Sequence, residues 1–297
     1  MTPTLKFVHS FSTRPLLIDC YGVDGLRRLL TQMWYFALSV AFLKRSGQKV
    51  VLHTDTLGKA ILGHIPYDEI HLTLDEMPED INPRFWAAAK FVALLAESAP
   101  CIHIDGDVFI KSPRLAEMLH RAVSLHDVVV QSVDAAVMYS LEIPLFDKER
   151  SFCARHFCTP DGRDALNTGI LGFGSDDVRR QVVENYLKIV RYFSDNHPEE
   201  LKERNLTPDL IAEQKMIESL SRASGWSVWK LLEKKEQAVA IGYQHVYTVD
   251  KFAELSRCAE TLLRVNPELH RACMLKASGF DRFPEVTPAP YLAPAAN

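Results

Sequence analysis

A chain of 297 residues with 47% hydrophobic and 24% charged side chains can bury a full core and is composed like a globular protein. Its formal net charge of -4 leaves no basic footprint for nucleic acid, so an anionic ligand has to be met by a local cluster. The six cysteines are scattered with no cleavable signal ahead of them, and the expectation is a reducing cytoplasm.

Residues 5–10 read as a first strand with polar residues at its carboxyl end. A helix rich in Leu, Trp and Phe is expected from an Asp24 N-cap to Arg45, with Gly47 as its stop. Residues 49–55 form a second strand, and residues 69–72 a third after a short helix; an acidic loop, 75–80, follows. Strands alternating with helices predict a largely parallel sheet and an α/β chain. The next helix opens at Asn82 and Pro83 and is bounded by Pro100. Between Phe85 and Ala96 every residue but Lys90 is apolar, and an ammonium there either snorkels to water or meets an anion. This run and the apolar run 33–43 fall short of the roughly 20 residues a bilayer core requires, so both read as buried helices.

Residues 101–110, CIHIDGDVFI, lead an apolar run into Asp105 and Asp107. If Ile102 and Ile104 lie on a buried strand, both carboxylates project from its carboxyl end, the edge where open α/β sheets bind ligands. Gly106 relaxes the turn between them. Carboxylates so placed can share one hard divalent cation, which points to a metal-and-phosphate site.

A helix from Pro113, a strand over 127–131 and an aperiodic excursion over 135–163 come next. Within the excursion Cys153, His156 and Cys158 supply three zinc-type ligands without a fourth. Residues 166–174 read as a strand whose three glycines mark close backbone approach, without the spacing of a dinucleotide fingerprint. Ser175 caps the following helix, with Asp176 and Asp177 in its first turn. A helix from Thr207 and Pro208 carries Leu210, Glu213, Gln214 and Ile217 on one face, so Glu213 and Gln214 are either boundary residues or polar groups turned into a pocket. Residues 238–241 read as a late strand, followed by residues 242–245. Final helices span 252–276, and the Pro/Ala-rich tail 287–297 is expected to fray. No repeat and no linker divides the chain, and one domain is expected over residues 1–286.

Asp105-Gly106-Asp107 at a strand end, Asn167-Thr168-Gly169 on a later strand, Glu213-Gln214 on a helix and His245 six residues before Lys251 occur in the order found in one enzyme class. On these motifs the chain resembles glycosyltransferases of the GT-A fold, of the retaining glycogenin and lipopolysaccharide galactosyltransferase type. Val8-His9-Ser10-Phe11, His53-Thr54-Asp55 and residues 103–110 also resemble a largely uncharacterised bacterial group of that type. The resemblance covers most of residues 5–252. Thr248 stands where the family has glycine, and no Pro-Trp follows Lys251.

The resemblance implies a Rossmann-like, mixed, mostly parallel sheet flanked by helices. It implies transfer of a sugar from a nucleotide-sugar donor, a UDP-sugar, with retention, to an acceptor that the motifs do not identify. Asp105, Asp107 and His245 would hold the metal, Mn²⁺ or Mg²⁺; imidazole suits Mn²⁺ better. Lys251 would neutralise the diphosphate, and Lys90 would lie near the donor sugar or the aspartates, with Gly106 between them. Val8, His9, Ser10, Thr54 and Asp55 would hold the base and ribose. Asn167, Gly169, Glu213 and Gln214 would face the donor sugar and its reacting carbon. Two other readings use the same residues: a haloacid-dehalogenase-type phosphatase with Asp105 as nucleophile, and a GT-A domain that binds a nucleotide sugar without turnover.

Overall fold

The structure is a computed structural model that describes residues 5–17, 25–133, 143–157, 165–202, 208–246 and 254–279. Its strands are β1 (Lys6–Phe11), β2 (Val50–Thr54), β3 (Glu69–His71), β4 (Cys101–Ile104), β5 (Val108–Ile110), β6 (Val128–Val130), β7 (Ile170–Phe173), β8 (Val228–Lys230) and β9 (Tyr243–His245). Seven of them form one sheet in the order β3-β2-β1-β4-β7-β6-β8, while β5 and β9 form a separate antiparallel ribbon. Within the large sheet β7 alone runs against its neighbours, so the sheet is mixed and mostly parallel, as expected.

Side-chain alternation along the strands divides the core into two layers. Val8 belongs to the layer under the helices Ala88–Ala96 and Asp176–Asn196, and Phe7 and Phe11 to the layer under Gly25–Arg45 and Pro113–Leu125. Every residue of β2 and β4 is buried, the pattern of strands covered on both faces. The apolar run 33–43 and most of the run 85–96 lie in this packing, while Leu95 is 47% exposed. Among the described residues no helix is long and apolar enough to cross a membrane.

Four expectations are corrected. The helix read from Asn82 starts at Ala88, because Asn82 Oδ1 accepts from Arg84 N at 2.9 Å and folds the preceding segment into a turn. Residues 238–241 lie in a helix, Gln237–Ile241, which Gly242 closes at φ 76°; Val239 is 87% exposed there, so its β-branching serves no sheet. The excursion contains two short helices, Ile143–Lys148 and Arg150–Arg155. The segment Leu210–Lys215 is a π-helix that continues as the α-helix Met216–Ser224, so the α-helical spacing read for Glu213 and Gln214 does not apply. Edge strand β8 carries no sequence signal, since its residues are only half-buried or exposed. Residues 134–142, the Asp24 cap and the tail 287–297 lie outside the described residues.

Candidate metal centre

β4 delivers Asp105 to the carboxyl edge of the parallel strands. The Asp105 N–H donates to Gly169 O at 2.9 Å, extending the β4–β7 ladder, and Val108 N donates back to Asp105 O at 3.0 Å to close the turn. A Cβ on Gly106 would lie 2.5 Å from the Phe36 ring, so a residue without a side chain is what lets this turn rest on the helix Gly25–Arg45. After the turn the chain runs into β5, and β9 pairs with it in a register that sets His245 opposite Val108. Val246 N donates to Asp107 O at 3.1 Å, and His245 Nε2 lies 3.4 Å from Asp107 Oδ1. One ligand atom each from Asp105, Asp107 and His245 lies within 4.8 Å of the others.

Behind the aspartates sits Lys90, in the first turn of Ala88–Ala96 and only 3% exposed. Its Nζ lies 3.0 Å from Asp105 Oδ1 and 2.7 Å from Glu213 Oε1, and donates to Thr168 O at 3.0 Å. Burial works against the ammonium, but Asp105 and Glu213 outweigh it and raise its pKa. Burial lifts the Asp105 carboxyl to about 6, partly countered by Lys90 and reinforced by Asp107 and Glu213. Glu213 and Gln214 are buried within the π-helix, a local widening that often accompanies functional sites. One turn earlier Asp209 accepts from Tyr186 Oη at 2.5 Å and from Ala87 N at 2.8 Å, which ties the start of the Lys90 helix to the π-helix. Burial pushes Asp209 up to about 8.

Residues 167–169 link these groups. Asn167 Oδ1 accepts from Gly169 N at 3.0 Å, and Asn167 O accepts from Ser132 N at 3.0 Å. Thr168 O receives Lys90, and Gly169 O receives Asp105 N. A Cβ on Gly169 would lie 2.4 Å from Gln131 Oε1 and 2.7 Å from His245 Cε1, so the missing side chain is the space in which those two groups meet.

The structure thus brings Lys90, Asp105, Asp107, Gly169, Glu213 and His245 together. The residues assigned to base and ribose are engaged in the scaffold at the ends of β1 and β2. Val8 and His9 are fully buried, and the His9 ring lies between Tyr67 Oη at 3.1 Å and Ser39 Oγ at 3.2 Å. Burial depresses His9 to about 3, so it is neutral. Ser10 Oγ meets His103 Nε2 at 2.8 Å, and Thr54 Oγ1 donates to Phe11 O at 2.7 Å. Asp55 accepts from Gly58 N at 2.7 Å with one oxygen and from Thr13 N at 2.6 Å with the other, fastening β1 to the helix after β2. Lys251 and Thr248 lie outside the described residues. Of the zinc-type triplet, Cys153 Sγ is buried against Phe146 O and His156 Nδ1 meets Asn185 Oδ1 at 3.1 Å, while Cys158 lies outside the described residues.

Sequence reasoning missed His103, Gln131, Tyr243 and Asp209. His103 Nδ1 is buried 3.6 Å from Asp105 Oδ1, too far for a hydrogen bond, and burial holds the ring well below its ordinary pKa. Gln131 closes the apolar strand β6 as Asp105 closes β4, a signal that was present in the sequence.

A family model described as a family of unknown function (DUF6734) matches residues 5–262. No curated protein matches the chain. Among solved structures, mouse xyloside xylosyltransferase 1 in its apo form is similar at 13% identity, with a TM-score of 0.40 over 77% of this chain and 85% of that one. The galactosyltransferase LgtC in complex with donor and acceptor sugar analogs is similar at 10% identity, with a TM-score of 0.44 over 90% of this chain and 99% of that one. An active-site mutant of LgtC is similar at 9% identity, with a TM-score of 0.39 over 84% and 81%. These likenesses are remote, and the chemistry has to be argued from the side chains.

Proposed function

We infer that this chain, which belongs to the DUF6734 family of unknown function, is a metal-dependent glycosyltransferase of the GT-A type that moves a sugar from a UDP-sugar to an acceptor, with retention. The observation that carries the reading is the convergence of Asp105, Asp107 and His245 at the carboxyl edge of the sheet, with Lys90 and Glu213 directly behind.

The residues fit a divalent cation. Neighbouring ligands of an octahedral ion lie about 3 Å apart when each bond is about 2.1–2.2 Å. The 3.4 Å between His245 Nε2 and Asp107 Oδ1 suits two ligands of one ion better than a hydrogen bond. Asp105 gives one oxygen to Lys90 and has a second for the ion. Two carboxylates and an imidazole favour Mn²⁺ over Mg²⁺. Bound there, the cation would supply positive charge to the diphosphate as its bond to the sugar breaks.

The remaining roles belong to the chain's own groups. Lys90 compensates the charge of Asp105 and Glu213 and fixes both. Glu213, 1% exposed with one oxygen on Lys90, holds that ammonium; direct attack on a sugar would require it to leave the pair. Gln214 follows it on the π-helix, near enough in sequence to be aimed by the same packing. A phosphatase would need Asp105 as a free nucleophile on the strand that opens its domain, whereas three strands precede β4 among the described residues and Asp105 Oδ1 is held by Lys90.

The test is turnover of a UDP-sugar panel with and without Mn²⁺. Slow Mn²⁺-dependent hydrolysis, reduced at least about 100-fold in Asp107→Ala, is expected. No hydrolysis of any donor, together with no thermal shift by UDP plus Mn²⁺, overturns the reading. A thermal shift without turnover assigns the chain instead to nucleotide-sugar binding.

A further inference from the structure

We propose that Gln131 is the positioning residue of this centre: its side-chain carbonyl fixes His245 in the Nδ1–H tautomer and so presents the Nε2 lone pair to the cation. The proposal rests on reading Asp105, Asp107 and His245 as the cation's ligands.

Gln131 is fully buried, and its backbone is tied on both sides of β6: its N–H donates to Ile170 O at 3.1 Å, and its carbonyl accepts from Leu232 N at 3.0 Å. The next two residues, Ser132 and Val133, have φ of 48° and 77°, values that non-glycine residues and above all β-branched ones rarely adopt. The chain therefore turns away sharply just after presenting the amide, and such strain concentrates at functional sites. Gln131 Oε1 lies 2.9 Å from His245 Nδ1 and also hydrogen-bonds the Tyr243 hydroxyl.

An amide oxygen only accepts, so a nitrogen facing it must carry the proton. In a neutral imidazole, Nδ1–H donating to Oε1 leaves the lone pair on Nε2, which lies 3.4 Å from Asp107 Oδ1. Tyr243 donates to the same oxygen, which can take two hydrogen bonds, and so orients the amide itself. Reversing the amide would turn its NH₂ toward Nδ1 and move the ring proton to Nε2, removing the lone pair that a cation needs. The ribbon accounts for the convergence: Tyr243 and His245 are alternate residues of β9 and share a face, and Gly169 leaves that face open to Gln131. A polar partner on the far nitrogen of a metal-binding histidine typically changes affinity about 10–100-fold.

Imidazole ¹⁵N NMR of the metal-free protein reads which ring nitrogen carries the proton. Mn²⁺ titration by calorimetry reads affinity. The wild type is expected to show Nδ1–H at His245. Gln131→Met keeps the volume and removes the acceptor; it should shift the proton to Nε2 and weaken Mn²⁺ binding about 10–100-fold. Gln131→Glu, which still accepts from Nδ1–H, should keep both tautomer and affinity, a rescue that a purely packing role would not produce. Tyr243→Phe, which leaves the amide free to turn, should raise the Nε2–H fraction with a smaller loss of affinity. An Nε2–H tautomer in the wild type, or equal Mn²⁺ affinity in wild type and Gln131→Met, overturns the proposal. If the wild type binds no Mn²⁺ but holds Nδ1–H, and Gln131→Met loses it, the positioning stands and the metal reading fails. Should Gln131→Met not fold, the wild-type tautomer and the Tyr243→Phe shift still decide.

Discussion

Lys90→Met removes the ammonium that holds Asp105 and Glu213 and replaces it with a side chain of similar length. The lysine is 3% exposed, and its Nζ contacts two carboxylates at 3.0 and 2.7 Å and a carbonyl at 3.0 Å. Removing one member of a buried ion pair costs about 3–5 kcal/mol, because the partner stays buried and uncompensated. With two carboxylates deprived at once, the upper end of that range is expected near neutral pH. The carboxylates can escape the penalty by taking up protons. Asp105 already stands at about 6 with Lys90 present, and each further unit of upward shift costs roughly 1.4 kcal/mol when the group must ionise. In the variant the folded state binds more protons than the unfolded one between the ordinary carboxylate range and the raised folded values, so stability falls as pH rises through that window. Urea unfolding followed by circular dichroism at about pH 5.5, 7 and 8.5 separates the effects. The deficit of Lys90→Met should be largest at the highest pH and shrink toward the lowest, with the denaturant slope unchanged. Lys90→Met/Glu213→Gln, with one carboxylate fewer, should recover at least about 1 kcal/mol at neutral pH. A deficit below about 1 kcal/mol, or one equal at all three pH values, refutes the buried pairing.

Three further outcomes follow from the geometry. Gly169→Ala drives a methyl into Gln131 and His245; it should cost about 1–3 kcal/mol in thermal unfolding and lower Mn²⁺ affinity well beyond what a distant substitution of equal cost would do. Asp209, raised to about 8 by burial, is protonated in the folded chain across a range where the unfolded chain has lost the proton, so its contribution to stability declines from about pH 4 toward pH 8; Asp209→Asn should flatten that decline when the two unfolding curves are subtracted. His9 has the opposite sign. Its folded pKa of about 3 lies below the ordinary 6.5, so the unfolded chain binds a proton first and stability is lost as pH falls from 6.5 toward 3; His9→Gln should remove this share, and no difference in acid midpoint between the two would refute it.

What the sequence disclosed depended on how local the determinant was. Asp105 and Asp107 were legible because a long apolar run leads directly to them and strand burial is a local pattern. β1, β2 and β4 were legible for the same reason. Lys90 stood out as the one polar residue of its run, yet its partner Glu213 lies 123 positions away and is brought to it by folding. The π-helix is invisible to a reading that assumes α-helical spacing, because Leu210, Glu213, Gln214 and Ile217 fit an α-helix equally well on paper. The five residues Gln237–Ile241 show the limit from the other side: Ala, Val and Ile in so short a run suit either element, and the adjacent Gly242 in the left-handed region decides for the helix. Gln131 had a readable signal in a polar residue ending an apolar strand. Its role depends on β9 returning beside β5, which no local pattern announces.

The reversed strand explains why so many of these groups meet in one place. In a parallel sheet every strand ends at the ligand-binding edge and begins at the opposite one, so each strand can send only its carboxyl end into the site. β7 runs against β4 and β6, so its beginning lies where they end. The residues that precede it, 167–169, therefore cross the ends of both neighbours. Their carbonyls receive Ser132 N, Lys90 Nζ and Asp105 N in turn, and the absent side chain at Gly169 admits His245 to Gln131. A parallel β7 would have placed this segment at the far edge, with Lys90 facing two carboxylates but no carbonyl and His245 facing no fixed acceptor. On this account the reversal of β7 within the large sheet is what converts a pair of aspartates at a strand end into a cluster whose charge is balanced by Lys90 and whose histidine faces a fixed acceptor.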